Sequence, residues 1–178
     1  MKGPGRRSLP FRAINLPGQP GYKAGLQRHH VLPRQLIATP GLAGMLDCLG
    51  AEIGIEDFRR NGLLLPATDD EAQRMALPLH RGPHREYSDL VIERVGQVES
   101  RWQRVRRTNS ELASREALMR MDCLQRALRR RLLDPSRWRG PALHHRDPNR
   151  ARAARALDYA HLDAMAAMLW IETAPAAE

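Results

Sequence analysis

Cysteine and long apolar runs are scarce in this chain of 178 residues. Its two cysteines, Cys48 and Cys123, stand far apart and form no Cys-x-x-Cys pair, so neither a thiolate zinc site nor a disulfide framework is indicated. No apolar run reaches the roughly 20 residues of a membrane-spanning helix, and no apolar stretch follows the basic N-terminus as in a secretory signal. We therefore expect a soluble, cytoplasmic protein with two reduced thiols.

Acidic residues are absent from residues 1–38, which carry seven basic ones, and lysine is nearly absent throughout. Residues 101–139 carry twelve basic residues against four acidic ones, and the formal net charge of the chain is +9. All but two of the 29 basic residues are arginines, whose planar guanidinium suits bidentate contact with phosphate. A polyanion is the expected partner, although a solvated helix surface explains the basic run at 101–139 equally well.

The length and the 42% hydrophobic content fit one compact domain with a single core. Prolines and glycines crowd residues 1–22, which we expect to form an extended arm. Residues 24–66 mix short apolar runs with turn residues and indicate α+β structure. The predicted elements are a strand or hairpin at 25–31, short helices at 41–49 and 55–60, and a short strand at 63–65.

Helical periodicity dominates from Pro83 onward. Apolar residues at three- and four-residue steps from Tyr87 to Val105 predict one long amphipathic helix, with Pro83 suited to its first turn. A second apolar stripe, 121–132, ends at Asp134-Pro135, and a third covers 157–169. We interpret these stripes as core-facing surfaces.

A pair of adjacent histidines, His29 and His30, offers two chemical roles side by side. Phosphodiester hydrolysis needs a base that activates water and a cation that neutralises developing charge. In an extended segment the two side chains point to opposite sides, so one can face a metal and the other a scissile phosphate. A second pair, His144 and His145, has no accompanying motif and illustrates that such pairs are often incidental.

A second histidine motif, His80 and His84, follows about fifty residues later. The four-residue spacing puts two imidazoles on one side of a helical turn, as in many divalent-metal sites. The Gly-Pro step between them predicts a helix start, with His80 before it and His84 in the first turn. Arg81 and Arg85 flank the histidines and are candidate phosphate contacts. A surface histidine pair without a ligand is the alternative.

Asn61 opens the segment NGLLLP. Its side-chain amide can donate and accept at once, so it could hold the backbone of the loop after His30 and orient a base there. Alone, the Asn-Gly step would indicate only a tight turn. Between Asn61 and His80, three consecutive acidic residues at 69–71 are expected to cap a helix rather than supply a metal oxygen.

The segments HHVLP, NGLLLP and LHRGPHREYSDLV, in this order, resemble the AHH group of the HNH/endonuclease VII superfamily. The resemblance extends over most of residues 25–172 and implies an α+β, mostly helical fold. It divides the chain into the arm at 1–22, a ββα-metal (HNH-like) nuclease core at 23–108 and a packed C-terminal helical extension at 109–178. One departure is Arg28, which stands where the family has alanine.

Residue by residue, the resemblance implies His29 as a metal ligand, His30 as the general base and Asn61 as the residue that orients the base's loop. His80 and His84 would complete the site around one divalent ion, Zn, Ni, Mn or Mg, and which of the two binds more closely stays open. The implied nucleic-acid contacts are Arg28, Arg34, Arg81 and Arg85.

The implied function is a metal-dependent endonuclease that hydrolyses phosphodiester bonds, with DNA favoured over RNA. One alternative is a non-catalytic, metal-stabilised nucleic-acid-binding module, and another is a helical interaction protein with surface histidines. A nuclease toxin domain of a bacterial antagonism system, delivered into target cells, would add an immunity protein as partner. No membrane partner is expected, and the oligomeric state stays open.

Overall fold

The computed structural model describes residues 7–134 and 141–148. Within these residues the chain forms two β-strands, β1 (Leu26–His30) and β2 (Gly62–Pro66). The α-helices are α1 (Ala43–Ile53), α2 (Phe58–Asn61), α3 (Asp69–Met75), α4 (Arg85–Arg106) and α5 (Ser110–Leu133). Short 3-10 turns occupy Phe11–Ala13, Arg34–Ala38 and Pro40–Leu42. The protein is thus α+β and mostly helical, as predicted, while the third apolar stripe at 157–169 lies outside the described residues.

The two strands pair antiparallel, with His29 opposite Leu63 and His30 opposite Gly62. Gly62 has an ordinary negative φ of -105°, so it is not needed for a left-handed turn. Instead, a Cβ atom at this position would overlap the ring of Phe58. The Asn-Gly step therefore marks a close approach between α2 and β2, not the tight turn that such a step favours.

Helix α3 begins where the acidic run predicts a helix, but the run itself does not cap it. Thr68 is the N-cap residue, and its hydroxyl accepts a hydrogen bond from the backbone N–H of Glu71 at 3.4 Å. The three acidic residues instead occupy the first turn, where negative charge interacts favourably with the helix dipole.

The two long helices, α4 and α5, are joined by three residues and pack against each other. Asn109 caps α5 by accepting a hydrogen bond from the N–H of Leu112 at 2.9 Å, and an ion pair from Arg101 to Glu116 links the helices at 3.3 Å. Helix α5 ends with Asp134 as its C-cap, immediately before Pro135, where the sequence predicts the end. Both predicted stripes face the interior, as expected.

One hydrophobic core joins the loop after β1 to helices α1, α4 and α5. Its largest fully buried side chains include Leu32, Leu36, Met45, Ile53, Leu65, Tyr87, Met121, Leu132 and Leu143. Among the described residues, no helix is long and apolar enough to cross a membrane. The hydrophobic core holds the loop after β1 and the start of α4 in fixed positions relative to each other.

Replacing Leu36 by alanine should destabilise the protein by about 2–5 kcal/mol, because its fully buried side chain would leave a cavity. The neighbouring Ile37 is 52% exposed, so Ile37→Ala is a matched control that should change the free energy of unfolding by less than about 0.5 kcal/mol. Urea denaturation measures both, and equal losses in the two variants would contradict this packing.

Candidate functional site

Strand β1 presents its two adjacent histidines to different environments. His29 is 1% exposed, and neither of its ring nitrogens has a hydrogen-bond partner. His30 is half-buried. Burial lowers the pKa of His29 well below its ordinary value, and the nearby imidazoles of His80, His84 and His30 lower this pKa further. His29 is therefore a neutral imidazole at pH 7, with a lone pair for a ligand.

Three histidines lie close together: His29 from β1 and His80 are buried, and His84 at the start of α4 is half-buried. One ring nitrogen from each of His29, His80 and His84 can be chosen so that all three lie within 4.8 Å of one another. The Nε2 atoms of His80 and His84 are 3.1 Å apart, and the ring centroid of His29 lies 4.7 Å from that of His80 and 5.0 Å from that of His84. We call these three residues the histidine cluster.

The geometry of the histidine cluster fits a metal ion. Two imidazole nitrogens on a tetrahedral ion, with bonds of about 2.0–2.1 Å, are separated by about 3.3 Å, close to the distance between Nε2 of His80 and Nε2 of His84. Burial also lowers the pKa of His84 and brings the pKa of His80 to about 4, so the ligand nitrogens need not lose protons at neutral pH. The cluster could therefore hold one divalent ion and leave a fourth position for water or substrate.

The donor set consists of imidazoles. Within the described part of the chain, no carboxylate belongs to the cluster, and the acidic residues at 69–71 form the first turn of α3. Imidazole nitrogen suits Zn, Ni, Cu and Fe, whereas Mg and Mn are better matched by oxygen ligands. The cluster thus matches transition metals better than Mg.

The end of β2 and the start of α4 hold the second histidine motif in place. The N–H of His80 donates to the carbonyl of Pro66 at 2.7 Å. Gly82 then adopts a positive φ of 75°, which glycine tolerates and other residues rarely adopt. His84 is the N-cap residue of α4, one position before the first helical turn in which it was predicted.

Asn61 ties the loop after β1 to the rest of the core. Its side-chain Nδ2 donates to the carbonyls of Leu32 at 2.9 Å and Ile55 at 2.8 Å, and its Oδ1 accepts from the N–H of Leu32 at 2.7 Å. Its backbone carbonyl accepts from the N–H of Val31 at 2.8 Å. Because Asn61 is fully buried, these bonds are shielded from competition with water and fix the loop that follows His30.

Tyr87 also contacts this loop. Its hydroxyl donates to the carbonyl of Val31 at 2.6 Å, and its ring centroid lies 5.2 Å from that of His29 and 5.6 Å from that of His84. Burial raises the pKa of the phenol far above its ordinary value, so it stays a hydrogen-bond donor. The apolar stripe of α4 predicts Tyr87 as a core residue but gives no sign of this second role.

His30 lies outside the histidine cluster, and its ring stacks on Phe11. The two ring centroids are 3.5 Å apart and the planes differ by 7°. Burial lowers the pKa of His30, the carboxylate of Glu56 raises it, and the guanidinium of Arg34 lowers it. Of the two ring nitrogens, only Nε2 is enclosed without a partner, so Nδ1 is the one open to solvent.

Two of the four arginines predicted to contact nucleic acid have partners within the protein. Arg28 donates from Nη1 to the carbonyl of Phe11 at 3.0 Å, and Arg34 forms an exposed ion pair with Glu56 at 3.0 Å. Arg81 and Arg85 are exposed, and the described residues offer them neither a hydrogen bond nor an ion pair. These two exposed arginines directly follow His80 and His84 in the chain.

An antiparallel strand pair, a following helix and a cluster of three histidines define a small α+β protein with a candidate metal centre. The model of the AHH family, described as a nuclease family of the HNH/ENDO VII superfamily with conserved AHH, matches residues 11–129. The chain belongs to this nuclease family. No curated protein and no solved structure matches the chain.

The family match begins at Phe11, inside the segment predicted to be an extended arm. Phe11 opens a 3-10 turn and is buried, so part of this segment packs on the core. The only feature of the sequence that indicates this packing is Phe11 itself, a large apolar residue directly after Pro10. No periodic apolar pattern accompanies it.

The histidine cluster predicts stoichiometric binding of one transition-metal ion per chain. Titration calorimetry with Zn²⁺, Ni²⁺ and Mn²⁺ should give a 1:1 complex. His80→Ala should weaken it by more than the roughly 10–100-fold that loss of an outer-shell contact costs. His145→Ala removes an exposed histidine of the second pair and should leave the affinity unchanged. Binding by His80→Ala as tight as by the wild type would contradict the site.

Proposed function

We propose that this protein is an endonuclease that hydrolyses phosphodiester bonds with one divalent metal ion, and that His30 is its general base. The observation that carries the proposal is the buried histidine cluster with a fourth, half-buried histidine next to it in sequence but outside it in space. A metal ligand and a base on adjacent residues of one strand give the division of labour that such hydrolysis requires.

His30 has the properties of a base at neutral pH. Its lowered pKa keeps the imidazole neutral, and Nδ1 is open to solvent. In the proposed reaction Nδ1 takes a proton from water as the water attacks phosphorus opposite the 3′ oxygen, and the product carries a 5′-phosphate. An ion held by His29, His80 and His84 would supply the positive charge that stabilises the departing oxyanion.

Asn61 would orient the base through the backbone. Its bonds to Leu32 and Ile55 fix the loop immediately after His30. A side-chain amide does not titrate near neutral pH, so the proposed role of Asn61 is positioning and not proton transfer.

The substrate we propose is DNA, in preference to RNA, bound through its phosphates. The net charge of +9 supports a polyanionic substrate. Arg81 and Arg85 flank the metal ligands and are exposed, which makes them the best candidates among the predicted arginines for contact with the phosphates on either side of the cleaved bond.

The chief alternative is a non-catalytic nucleic-acid-binding module whose arginine-rich helices contact phosphate. Several arginines of residues 101–139 instead form ion pairs or hydrogen bonds with other residues of the protein. They pair with acidic residues, as Arg101 and Arg120 with Glu116, Arg115 with Glu111 and Arg126 with Asp122. Arg129 donates to the carbonyls of residues 59 and 60. These pairs offset part of the basic charge of residues 101–139, which weakens the support for the module; a toxin role with an immunity protein stays a prediction.

His30→Ala should lower the rate of cleavage of supercoiled plasmid by about 10²–10⁴-fold, the usual contribution of a general base. Metal affinity should stay at the wild-type value, because His30 lies outside the histidine cluster. His145→Ala is the matched control and should cleave normally. If purified, metal-loaded His30→Ala nicks plasmid at the wild-type rate, the assignment of the base is wrong.

Substrate and metal dependence can be tested together. Pure protein is incubated with supercoiled plasmid and with total RNA, in the presence of chelator or of Zn²⁺, Ni²⁺, Mn²⁺ or Mg²⁺. We expect metal-dependent cleavage of the plasmid and none with chelator. Preferential cleavage of RNA would overturn the DNA assignment, and binding of nucleic acid without cleavage under all conditions would favour the module.

Arg81→Ala and Arg85→Ala should weaken DNA binding and raise KM. Each lost phosphate contact should also reduce the slope of log affinity against log salt concentration by about 1. Arg126→Ala, which removes an exposed arginine paired with Asp122, is the matched control and should leave the slope unchanged. Slopes equal to that of the wild type in the first two variants would place the phosphate contacts elsewhere.

A further inference from the structure

The ring of Phe11 covers one face of the His30 imidazole. Phe11 is 8% exposed, and its stacking distance of 3.5 Å means direct contact over the ring face. Its edge packs against Phe58, with ring centroids 5.1 Å apart and planes at 75°. The imidazole of His30 therefore lies against the ring of Phe11, which is held in turn by its packing against Phe58.

The backbone on both sides of Phe11 is bonded to the core. On the N-terminal side, the N–H of Leu9 donates to the carboxylate of Asp57 at 3.1 Å, and the N–H of Phe58 donates to the carbonyl of Leu9 at 2.8 Å. On the C-terminal side, the Nδ2 of Asn15 donates to the carbonyl of Leu26 at 2.8 Å. Because the segment is anchored at both ends, Phe11 has little freedom to move away from His30.

A third anchor comes from β1 itself. Arg28 donates to the carbonyl of Phe11 at 3.0 Å and to that of Ile14 at 3.4 Å. This arginine stands where the family motif has alanine, and an alanine side chain could make neither bond. In this chain, the strand that carries His30 also holds the residue that stacks on it.

Among the described residues, no hydrogen bond fixes the orientation of the His30 ring. Its backbone is fixed by strand pairing and by the Asn61 contacts with the next loop, but these leave the side chain able to rotate. Its Nε2 is enclosed without a partner, and the ring forms no hydrogen bond with any described residue. The stack on Phe11 is therefore the contact best suited to fix the ring plane.

We propose that Phe11 is a positioning residue that holds the His30 imidazole in the orientation in which Nδ1 meets the attacking water. The proposal rests on the proposed function, in which His30 is the base. Phe11 covers a ring face and not the Nδ1 edge, so the stack leaves the proton-accepting atom accessible.

The test compares kcat and KM on plasmid DNA at saturating metal for the wild type, Phe11→Ala, Phe11→Leu and Phe11→Tyr. Phe11→Ala should lower kcat by about tenfold to a hundredfold, as misplaced catalytic groups do. KM and metal affinity should be unchanged, because the proposed role of Phe11 is to hold the base and not to bind the phosphates or the metal ion. Phe11→Tyr keeps the flat ring and should retain most activity, whereas Phe11→Leu keeps only apolar bulk and should resemble Phe11→Ala.

Tyr22→Ala is the matched control, since it removes an exposed aromatic residue from the same segment and should leave kcat unchanged. The stack can also be measured without turnover. In NMR spectra of the wild type, the ring C–H protons of His30 should be shifted upfield by the ring current of Phe11. This shift should persist in Phe11→Tyr and disappear in Phe11→Ala and Phe11→Leu, while thermal unfolding reports whether each variant is folded.

The possible outcomes distinguish failure of the Phe11 proposal from failure of the proposed function, in which His30 is the general base. If His30→Ala is inactive and Phe11→Ala keeps the wild-type kcat, Phe11 has no positioning role but the base assignment stands. A higher kcat in Phe11→Ala would mean that the ring obstructs the base, and equal activity of Phe11→Leu and Phe11→Tyr would mean that only bulk matters; both overturn the proposal. Full activity of His30→Ala would instead remove the proposed function itself.

Discussion

The site depends on the hydrogen bonds of one buried side chain, that of Asn61. Its amide donates to the carbonyls of Leu32 and Ile55 and accepts from the N–H of Leu32. These bonds join the loop after β1 to the turn before α2. Unpaired polar groups in the interior cost about 1–3 kcal/mol each, so the loop is strongly held in this one conformation. Because His29 and His30 end the strand before this loop, the same bonds help to fix the backbone that carries both imidazoles.

A metal ion in the histidine cluster would give one enclosed ring nitrogen of His29 a partner. His29 has two enclosed ring nitrogens without partners, and His80 and His84 each have one such nitrogen, Nδ1. Buried polar atoms are normally hydrogen-bonded, and burial here also suppresses protonation. The Nε2 atoms of His80 and His84 lie 3.1 Å apart, close to the buried ring of His29. Because burial also disfavours protonation of all three imidazoles, a metal ion is a suitable partner for the cluster.

Sequence patterns predict most of the elements and the members of the cluster, but not the contacts between distant segments. The strand at 25–31, the strand at 63–65 and the long helix after Pro83 follow from periodicity and from Pro and Gly at their ends. The stack of Phe11 on His30 leaves no periodic signal, because it joins residues far apart through a Pro-rich segment. The hydrogen bonds of Arg28 to Phe11 and Ile14 could not be predicted either. From the sequence alone, an arginine on a strand is equally suited to contact phosphate.

The central claim is that His29, His80 and His84 together bind one metal ion while His30 does not. Anomalous diffraction from crystals soaked in Zn²⁺ or Mn²⁺, recorded on both sides of the metal's absorption edge, tests it directly. We expect one strong peak about 2.0–2.3 Å from a ring nitrogen of each of the three residues, with His30 still stacked on Phe11. A peak bound to His30, or a peak only at the second histidine pair, would contradict it.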